Sequence, residues 1–362
     1  MPLDVLLCNV TDTQVVIIGG GQSGLAAAHA LRSRHIDAIV LEAGPRTSGS
    51  WPRYYDSLTL FTPARYSALP GRRLPGDPDR FPTRDEMSDY LARYGASLDV
   101  DVRVDHPVTG VFRETGRFRV EIADREPTRA AIVIAATGGF GNPHRPALPD
   151  LDRYTGTVIH SAQYRSPDAF AGQRVVVVGG GNSAVQIAME LAEVGKTSVA
   201  SRSPLRVVPH RVLGRSIHSW ATASRLLAAP IAGFVADPPT IPVLDTGGYR
   251  AALAAGTPDE RRVFTAIDGT AVTWPDGPSE HVDAIILATG FRPDLGYLRP
   301  LRALASSGLP LHRSGVSTAV PGLYYLGLDW QRTPSSSILW GVQRDAQYIA
   351  NLVKRRLDRA TG

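Results

Sequence analysis

Apolar runs cut short by glycine organise this chain. "VVIIG" at 15–19 is a β-branched run sharply bounded by glycine, the pattern of a short strand buried on both faces. "GLAAAHALRSR" at 24–34 follows, rich in helix formers with small residues at the inward positions, and "AIVLEAG" at 38–44 is a second buried run. The three predict a βαβ unit with its glycines at the first turn. The plan recurs in "RVVVVG" at 174–179, "AVQIAMELAEVG" at 184–195 and "TSVASRS" at 197–203. Two more buried strands each run into the same tripeptide, Ala136-Thr137-Gly138 and Ala288-Thr289-Gly290. Small residues there allow two segments to cross between domains.

The rest of the pattern is less regular. "TRDEMSDYLARYGASL" at 83–98 predicts a helix with Thr83 as N-cap and Glu86 three residues on, a capping box. Residues 50–82 hold prolines and aromatics in no regular period, which predicts a long ordered loop of functional kind. Residues 203–234 are expected to be a loop followed by an apolar helix. "RRVFTAIDGTAVTWPDG" at 261–277 predicts short strands joined by tight turns. The C-terminal stretch predicts a strand, a polar loop and a final helix, with Ser335, Ser336 and Ser337 of the loop as its caps. The fold class is therefore α/β, with two Rossmann-like dinucleotide-binding units, the second inserted in the first. The expected division is 1–152 and 281–362 for the first unit and 153–280 for the second. Two copies separated by unrelated sequence are two such units and not a repeat array.

Each glycine of the first turn has its own task. Gly19 permits the tight turn, Gly21 admits a pyrophosphate, and Gly24 lets helix and strand close up. Gln22 and Ser23 stand beside them at the helix N-terminus, where the dipole favours an anion. Glu42 ends the second strand, where a carboxylate accepts hydrogen bonds from an unmodified adenosine ribose, as FAD would present. In the second turn, Gly179, Gly181, Asn182 and Ser183 take the corresponding places and Ala184 replaces the third glycine. Its second strand ends in Ser201-Arg202 with no acid. That pair suits a 2′-phosphate and predicts NADPH over NADH.

Composition narrows the rest. The 362 residues carry 43% hydrophobic and 20% charged positions, ordinary for a globular protein. No apolar run reaches the roughly 18–20 residues of a membrane span, and the N-terminus has no basic region of a signal peptide, so a cytoplasmic protein is expected. The single cysteine, Cys8, excludes an intrachain disulfide. Net charge is +5, carried almost wholly by scattered arginines. No basic–aromatic motif points to nucleic acid, and no metal-ligand cluster stands out.

"YTGTVIHSAQY" at 154–164 is the most specific stretch. Tyr154, Gly156, His160 and Tyr164 match the aromatic-x-Gly-x-x-x-His-x-x-x-aromatic fingerprint, and the chain resembles the flavin-containing monooxygenases over nearly its full length. Baeyer–Villiger relatives end that fingerprint with tryptophan and then proline or aspartate; Tyr164-Arg165 stands here. The likeness is to the flavin-containing branch that includes the plant YUCCA-type enzymes. It implies FAD and NADPH as cofactors, a C4a-hydroperoxyflavin, and oxygenation of a soft nucleophile on a small molecule, with O₂ as co-substrate. Ser50, Trp51, Thr137, Gly138 and Asp329 are the further FAD candidates it implies, with Thr289 and Gly290 for NADPH. His160 is placed at the cofactor junction, positional more than chemical. Animal-type members carry a loop asparagine near the flavin's reactive edge; this chain has Leu60-Phe61-Thr62-Pro63, with Thr62 as the substitute. No acid–base triad is needed, and none is visible. No membrane or nucleic-acid partner is expected, and a homodimer is left open. A disulfide reductase of similar architecture needs a CxxC pair that one cysteine cannot make. Carbonyl oxygenation of Baeyer–Villiger or decarboxylating type, and an NADPH oxidase or flavin reductase releasing H₂O₂, remain as alternatives.

Overall fold

The computed structural model describes residues 11–224, 226–235 and 241–361; Cys8 and the N-terminal stretch lie outside them. Strand β1 (Thr11–Ile18), helix α1 (Gln22–Arg32) and strand β2 (Ala38–Leu41) form the first βαβ unit, with β1 and β2 parallel. Helix α2 (Arg84–Ser97) leads to β3 (Asp101–Arg103), which extends the sheet beyond β2. Strands β4 (Val108–Glu114) and β5 (Arg117–Ile122) run antiparallel into β6 (Arg125–Ala135). The inner half of β6 then lies parallel to β1, and the strand Leu323–Tyr325 closes on its other side. Val15 to Ile18 and Ile132 to Ala135 are buried, as a parallel sheet covered on both faces requires.

The second sheet is wholly parallel. Its order is Asp259–Arg262, β9 (Lys196–Ser201), β8 (Arg174–Val178), Ala284–Leu287 and β7 (Thr157–His160), with α3 (Asn182–Ala192) between β8 and β9. The fold is α/β with two Rossmann-like units, and the second lies within the span of the first. The expected return at residue 281 is one strand too early. Ala284–Leu287 pairs with both β8 and β7, so it sits inside the second sheet. The physical reason is symmetric with the outward crossing. A strand that ends in Ala-Thr-Gly belongs to the sheet it leaves, as β6 does before Ala136-Thr137-Gly138.

Helix α2 starts as its sequence predicts. The Thr83 hydroxyl accepts from the Glu86 amide at 3.3 Å, and the Thr83 amide donates to Glu86 Oε2 at 2.8 Å. Thr83→Ala removes one half of this box and is expected to cost about 1 kcal/mol, read as a lower urea unfolding midpoint. Residues 50–82 fold back on α2. The Tyr90 hydroxyl donates to the Arg72 carbonyl, and the Tyr94 hydroxyl donates to the Pro70 carbonyl. The same loop ties the two units: Tyr55 OH donates to Gln186 Oε1 at 2.6 Å, and Ser57 Oγ donates to Glu190 Oε2 at 2.7 Å. One buried apolar cluster accordingly runs from Leu25 and Tyr55 to Tyr164, Ile187 and Leu191.

Two segments differ from their expected form. After β9, the long apolar helix is only Ile217–Ala223, preceded by a hairpin of Arg211–Val212 and Arg215–Ser216. Pro209 and Gly214 keep the residues before Ser216 out of the helix. Before the final helix Leu339–Thr361, the Ser336 hydroxyl accepts from the Arg332 and Thr333 amides, each at 3.0 Å. That serine secures the preceding turn and does not cap the helix. Among the described residues, no helix is long and apolar enough to cross a membrane.

Candidate functional site

At the first turn the backbone itself makes a cradle. Gly19 has φ +105°, and a Cβ there would lie 2.6 Å from the Ala136 carbonyl oxygen. A Cβ on Gly24 would lie 1.8 Å from the Gly19 oxygen, so the helix can close on the turn only with glycine there. Gly21 is the N-cap of α1, with no side-chain cap and no acid in the first turn. Its amide neighbours at the helix N-terminus are left for an anion. A Cβ on Gly21 would meet only Gly49, at 3.4 Å, while Gly49 (φ +55°) would meet the Gly21 Cα at 2.9 Å. The two backbones pack directly on each other, so the loop at residue 49 can close on the first turn only with glycine there.

Glu42 is 7% exposed. Its Oε2 accepts from the Gly20 amide at 2.6 Å and its Oε1 from the Gly44 amide at 2.8 Å. Each carboxylate oxygen keeps a lone pair for a ribose hydroxyl. Gln22 joins three segments: its Oε1 accepts from Trp51 Nε1 at 3.2 Å, and its Nε2 donates to the Ser337 carbonyl at 3.0 Å. Ser50 sits beside the Tyr54 hydroxyl. Ser23 packs against Gly327, where a Cβ would come within 2.2 Å of its hydroxyl. Asp329 stands exposed in the turn after Leu323–Tyr325.

The two crossings pair with each other. Thr137 Oγ1 donates to the Asp294 carbonyl at 2.7 Å, and the Asp294 amide donates to the Gly138 carbonyl at 2.9 Å. Thr289 Oγ1 donates to the His144 carbonyl, and the His144 amide donates to the Gly290 carbonyl at 2.9 Å. His160 is fully buried below this ribbon. Its Nδ1 accepts from the Ala162 amide at 3.1 Å, and its Nε2 lies 3.1 Å from the Gly290 carbonyl. An amide on one side and a carbonyl on the other fix a neutral ring with its proton on Nε2. Burial holds this imidazole below its usual range, against the opposing effect of the Gly290 hydrogen bond. Both ring nitrogens are engaged with backbone, so the geometry gives His160 a positioning task and leaves it no proton to exchange with a substrate. Thr62 is also buried, its hydroxyl 2.7 Å from Ser67 Oγ, which itself reaches the Thr62 and Pro63 carbonyls. Thr62 braces its own loop.

The second turn repeats the cradle. Gly179 would place a Cβ 2.3 Å from the Ala288 carbonyl oxygen, while Gly181, the N-cap of α3, would meet nothing within 4 Å. The space over this helix N-terminus is open, which fits a second dinucleotide. Asn182 Oδ1 accepts from the Leu244 amide at 3.1 Å, and Ser183 lies beside the Tyr55 hydroxyl. At the end of β9, Ser201 Oγ donates to the Ser203 carbonyl and is buried, whereas Arg202 is exposed. No ion pair involves Arg202 among the described residues. Gly49 and Gly327 escaped the sequence pattern, since each matters through contact with a distant turn. The glycine just before Ser50-Trp51 was the available signal for the first.

Known proteins agree with this geometry. Residues 16–224 match the pyridine nucleotide-disulphide oxidoreductase family. An uncharacterized oxidoreductase CzcO-like of Geobacillus kaustophilus is 31% identical over 340 residues, covering 93% of this chain and 97% of its own. Indole-3-pyruvate monooxygenase YUCCA1 of Oryza sativa subsp. japonica is 31% identical over 312 residues, 77% of each chain. The solved flavin-containing monooxygenase from Stenotrophomonas maltophilia superposes with a TM-score of 0.85 at 30% identity, covering 96% of this chain and 100% of that one. With two glycine cradles, an acid at the end of β2 and the fingerprint histidine locked between the crossings, the chain belongs to the flavin-containing monooxygenase family, oxidoreductases that use FAD and NADPH.

Proposed function

We propose that this enzyme oxidises NADPH with O₂ and transfers one oxygen atom to a soft nucleophile, nitrogen or sulfur, of a small molecule. The observation that carries this is the Tyr154–Tyr164 fingerprint, with His160 bound to Gly290, set between two open glycine cradles. The bound flavin supplies the redox chemistry, accepting a hydride from NADPH and activating O₂.

The chain's own part is binding, orientation and exclusion of water. Gly19, Gly21, Gln22, Ser23, Gly24, Glu42, Ser50, Trp51, Thr137, Gly138 and Asp329 would hold FAD. Gly179, Gly181, Asn182, Ser183, Arg202, Thr289 and Gly290 would hold NADPH. His160 fixes the angle of the return crossing through Gly290, and so the relation between the two cofactors. Phe291 packs edge-on against the His160 ring at 5.2 Å, and Tyr54 and Phe140 extend the cluster, with Tyr54 to Phe140 at 4.7 Å and Phe140 to Phe291 at 5.2 Å. Such a wall keeps water from the junction, where hydrolytic loss of activated oxygen would otherwise compete.

NADPH consumption over amines, sulfides, ketones and 2-oxo acids, with product and H₂O₂ both measured, tests this. The expected result is an N-oxide or sulfoxide, with H₂O₂ falling as substrate is added. H₂O₂ equal to NADPH consumed, whatever amine or sulfide is present, would make the enzyme an oxidase. Carbonyl oxygenation is the second reading, favoured by the similarity to an enzyme named for indole-3-pyruvate. An ester from a ketone, or a decarboxylated acid from a 2-oxo acid, would establish it instead.

A further inference from the structure

Beyond Gly290 the return crossing runs beside the outward one as a short ribbon. Pro143 and Phe291 face each other antiparallel, and the Arg292 amide donates to the Asn142 carbonyl at 2.9 Å. Successive side chains of an extended segment alternate between its two faces. Phe291 turns its ring to His160 and Phe140, so one face joins the aromatic wall. The pairing puts His144 and Arg292 on the other face, beside Gly290, where a Cβ would meet nothing within 4 Å.

Arg292 is exposed, and its guanidinium has no ion pair or hydrogen bond among the described residues. Asp294, two residues on, holds its carboxylate against Gly141, and Arg145 gives its guanidinium to Gln163 Oε1 at 2.9 Å. Arg202 is likewise exposed and without an ion pair among the described residues. Burial first, then Arg292 and Arg202, hold the His144 imidazole below its ordinary range, so both guanidinium groups lie within electrostatic reach of one ring. Sheet order gives the same grouping. Strand β8 lies between β9 and Ala284–Leu287. The second cradle opens from β8, so Arg202 follows its neighbour on one side and Arg292 follows its neighbour on the other. Between them, a Cβ on Gly181 would meet nothing within 4 Å. Two unpaired guanidinium groups beside an open helix N-terminus form a place that a polyphosphate anion stabilises.

We propose that Arg292 is a second phosphate-binding arginine, which takes the bridging pyrophosphate of the nicotinamide dinucleotide while Arg202 takes the 2′-phosphate. This rests on the second turn being the NADPH site, as proposed above. A dinucleotide with its 2′-phosphate at Arg202 extends across the cradle with its pyrophosphate at the α3 N-terminus, toward the strand that Arg292 follows. The guanidinium fork suits that group, since it can donate two parallel hydrogen bonds to phosphate oxygens. The two arginines then divide the ligand. NADP⁺ and NAD⁺ share the pyrophosphate and differ in the 2′-phosphate, so Arg292 sets the affinity for both and Arg202 the preference between them.

The test is calorimetric binding of NADP⁺ and of NAD⁺ to the oxidised holoenzyme carrying FAD, which needs no turnover. Arg292→Ala should weaken both by about tenfold, as the loss of one charge-assisted hydrogen bond allows. The gap between wild type and variant should narrow as salt rises, because the contact is exposed. Unchanged affinity for both dinucleotides, a loss confined to NADP⁺, or a gap that salt does not touch would each overturn the assignment. Circular dichroism and retained flavin colour check the fold, and Arg292→Gln gives the same readout should the alanine variant not fold. Gly181→Ala tests the turn separately. Its methyl would meet no protein atom within 4 Å, so this variant should fold and lose both dinucleotides. If it binds them as wild type does, the second turn is not the NADPH site, and the function proposed above loses that cradle whatever Arg292 does.

Discussion

Gly21→Ala is expected to give a folded protein that no longer holds FAD. The backbone at Gly21, φ −78° and ψ −169°, is open to any residue. The added methyl would meet nothing of the protein closer than Gly49 at 3.4 Å. The chain can therefore accept alanine without moving. The methyl instead crowds the turn at the α1 N-terminus, where the pyrophosphate needs close approach to backbone amides. We expect FAD affinity to fall by roughly a hundredfold, about 2.7 kcal/mol, and the yellow colour to be lost on purification. Gly24→Ala makes the contrast. Its methyl would sit 1.8 Å from the Gly19 oxygen, so that variant should fail to fold, as backbone overlap cannot be relieved by a rotamer change. Circular dichroism and flavin absorbance separate the two outcomes. A folded Gly21→Ala protein that retains FAD at wild-type affinity would remove the first glycine turn from the flavin site.

Both cradles were legible because each is local. A β-branched run, a glycine turn and a helix rich in alanine are adjacent in sequence, and the tasks of Gly19 and Gly24 come from their positions in that turn. The capping box at Thr83 and Glu86 was legible for the same reason. The features that escaped depend on contacts between distant segments. Gly49 matters only because Gly21 lies opposite it, and Gly327 only because Ser23 does. The boundary near 281 was misplaced because sheet membership is a pairing property. Nothing in "AIIL" states that its neighbours are β7 and β8. His160 was placed at the junction by the fingerprint, but its fixed tautomer needed the Gly290 carbonyl 130 positions away. The segment after β9 misled for another reason. Its alanines and leucines favour a helix, while Pro209, Gly214 and Pro230 divide it into a hairpin and short turns, and punctuation outweighs propensity over so few residues.

Arg202→Ala should cost the enzyme its preference for NADPH while sparing NADH. Glu42 and Arg202 close the second strand of their respective units, and they carry opposite charge. The acid at β2 suits a bare ribose; an acid at β9 would repel a 2′-phosphate, and arginine there attracts one. Ser201 was expected to share that task, but its hydroxyl donates to the Ser203 carbonyl and its side chain is buried. The contact therefore falls on Arg202, which is exposed and has no ion pair among the described residues to give up. A charge-assisted hydrogen bond contributes about 1.5–3 kcal/mol, so kcat/KM with NADPH should fall by roughly tenfold to a hundredfold. NADH has no 2′-phosphate and should be used as before. Because the guanidinium is exposed, the wild-type preference should shrink as salt rises, and the variant's should not. Steady-state kinetics with both nucleotides at low and high salt measure all of this. Equal use of NADPH and NADH by the wild type, or a parallel loss with both in the variant, would show that Arg202 does not read the phosphate.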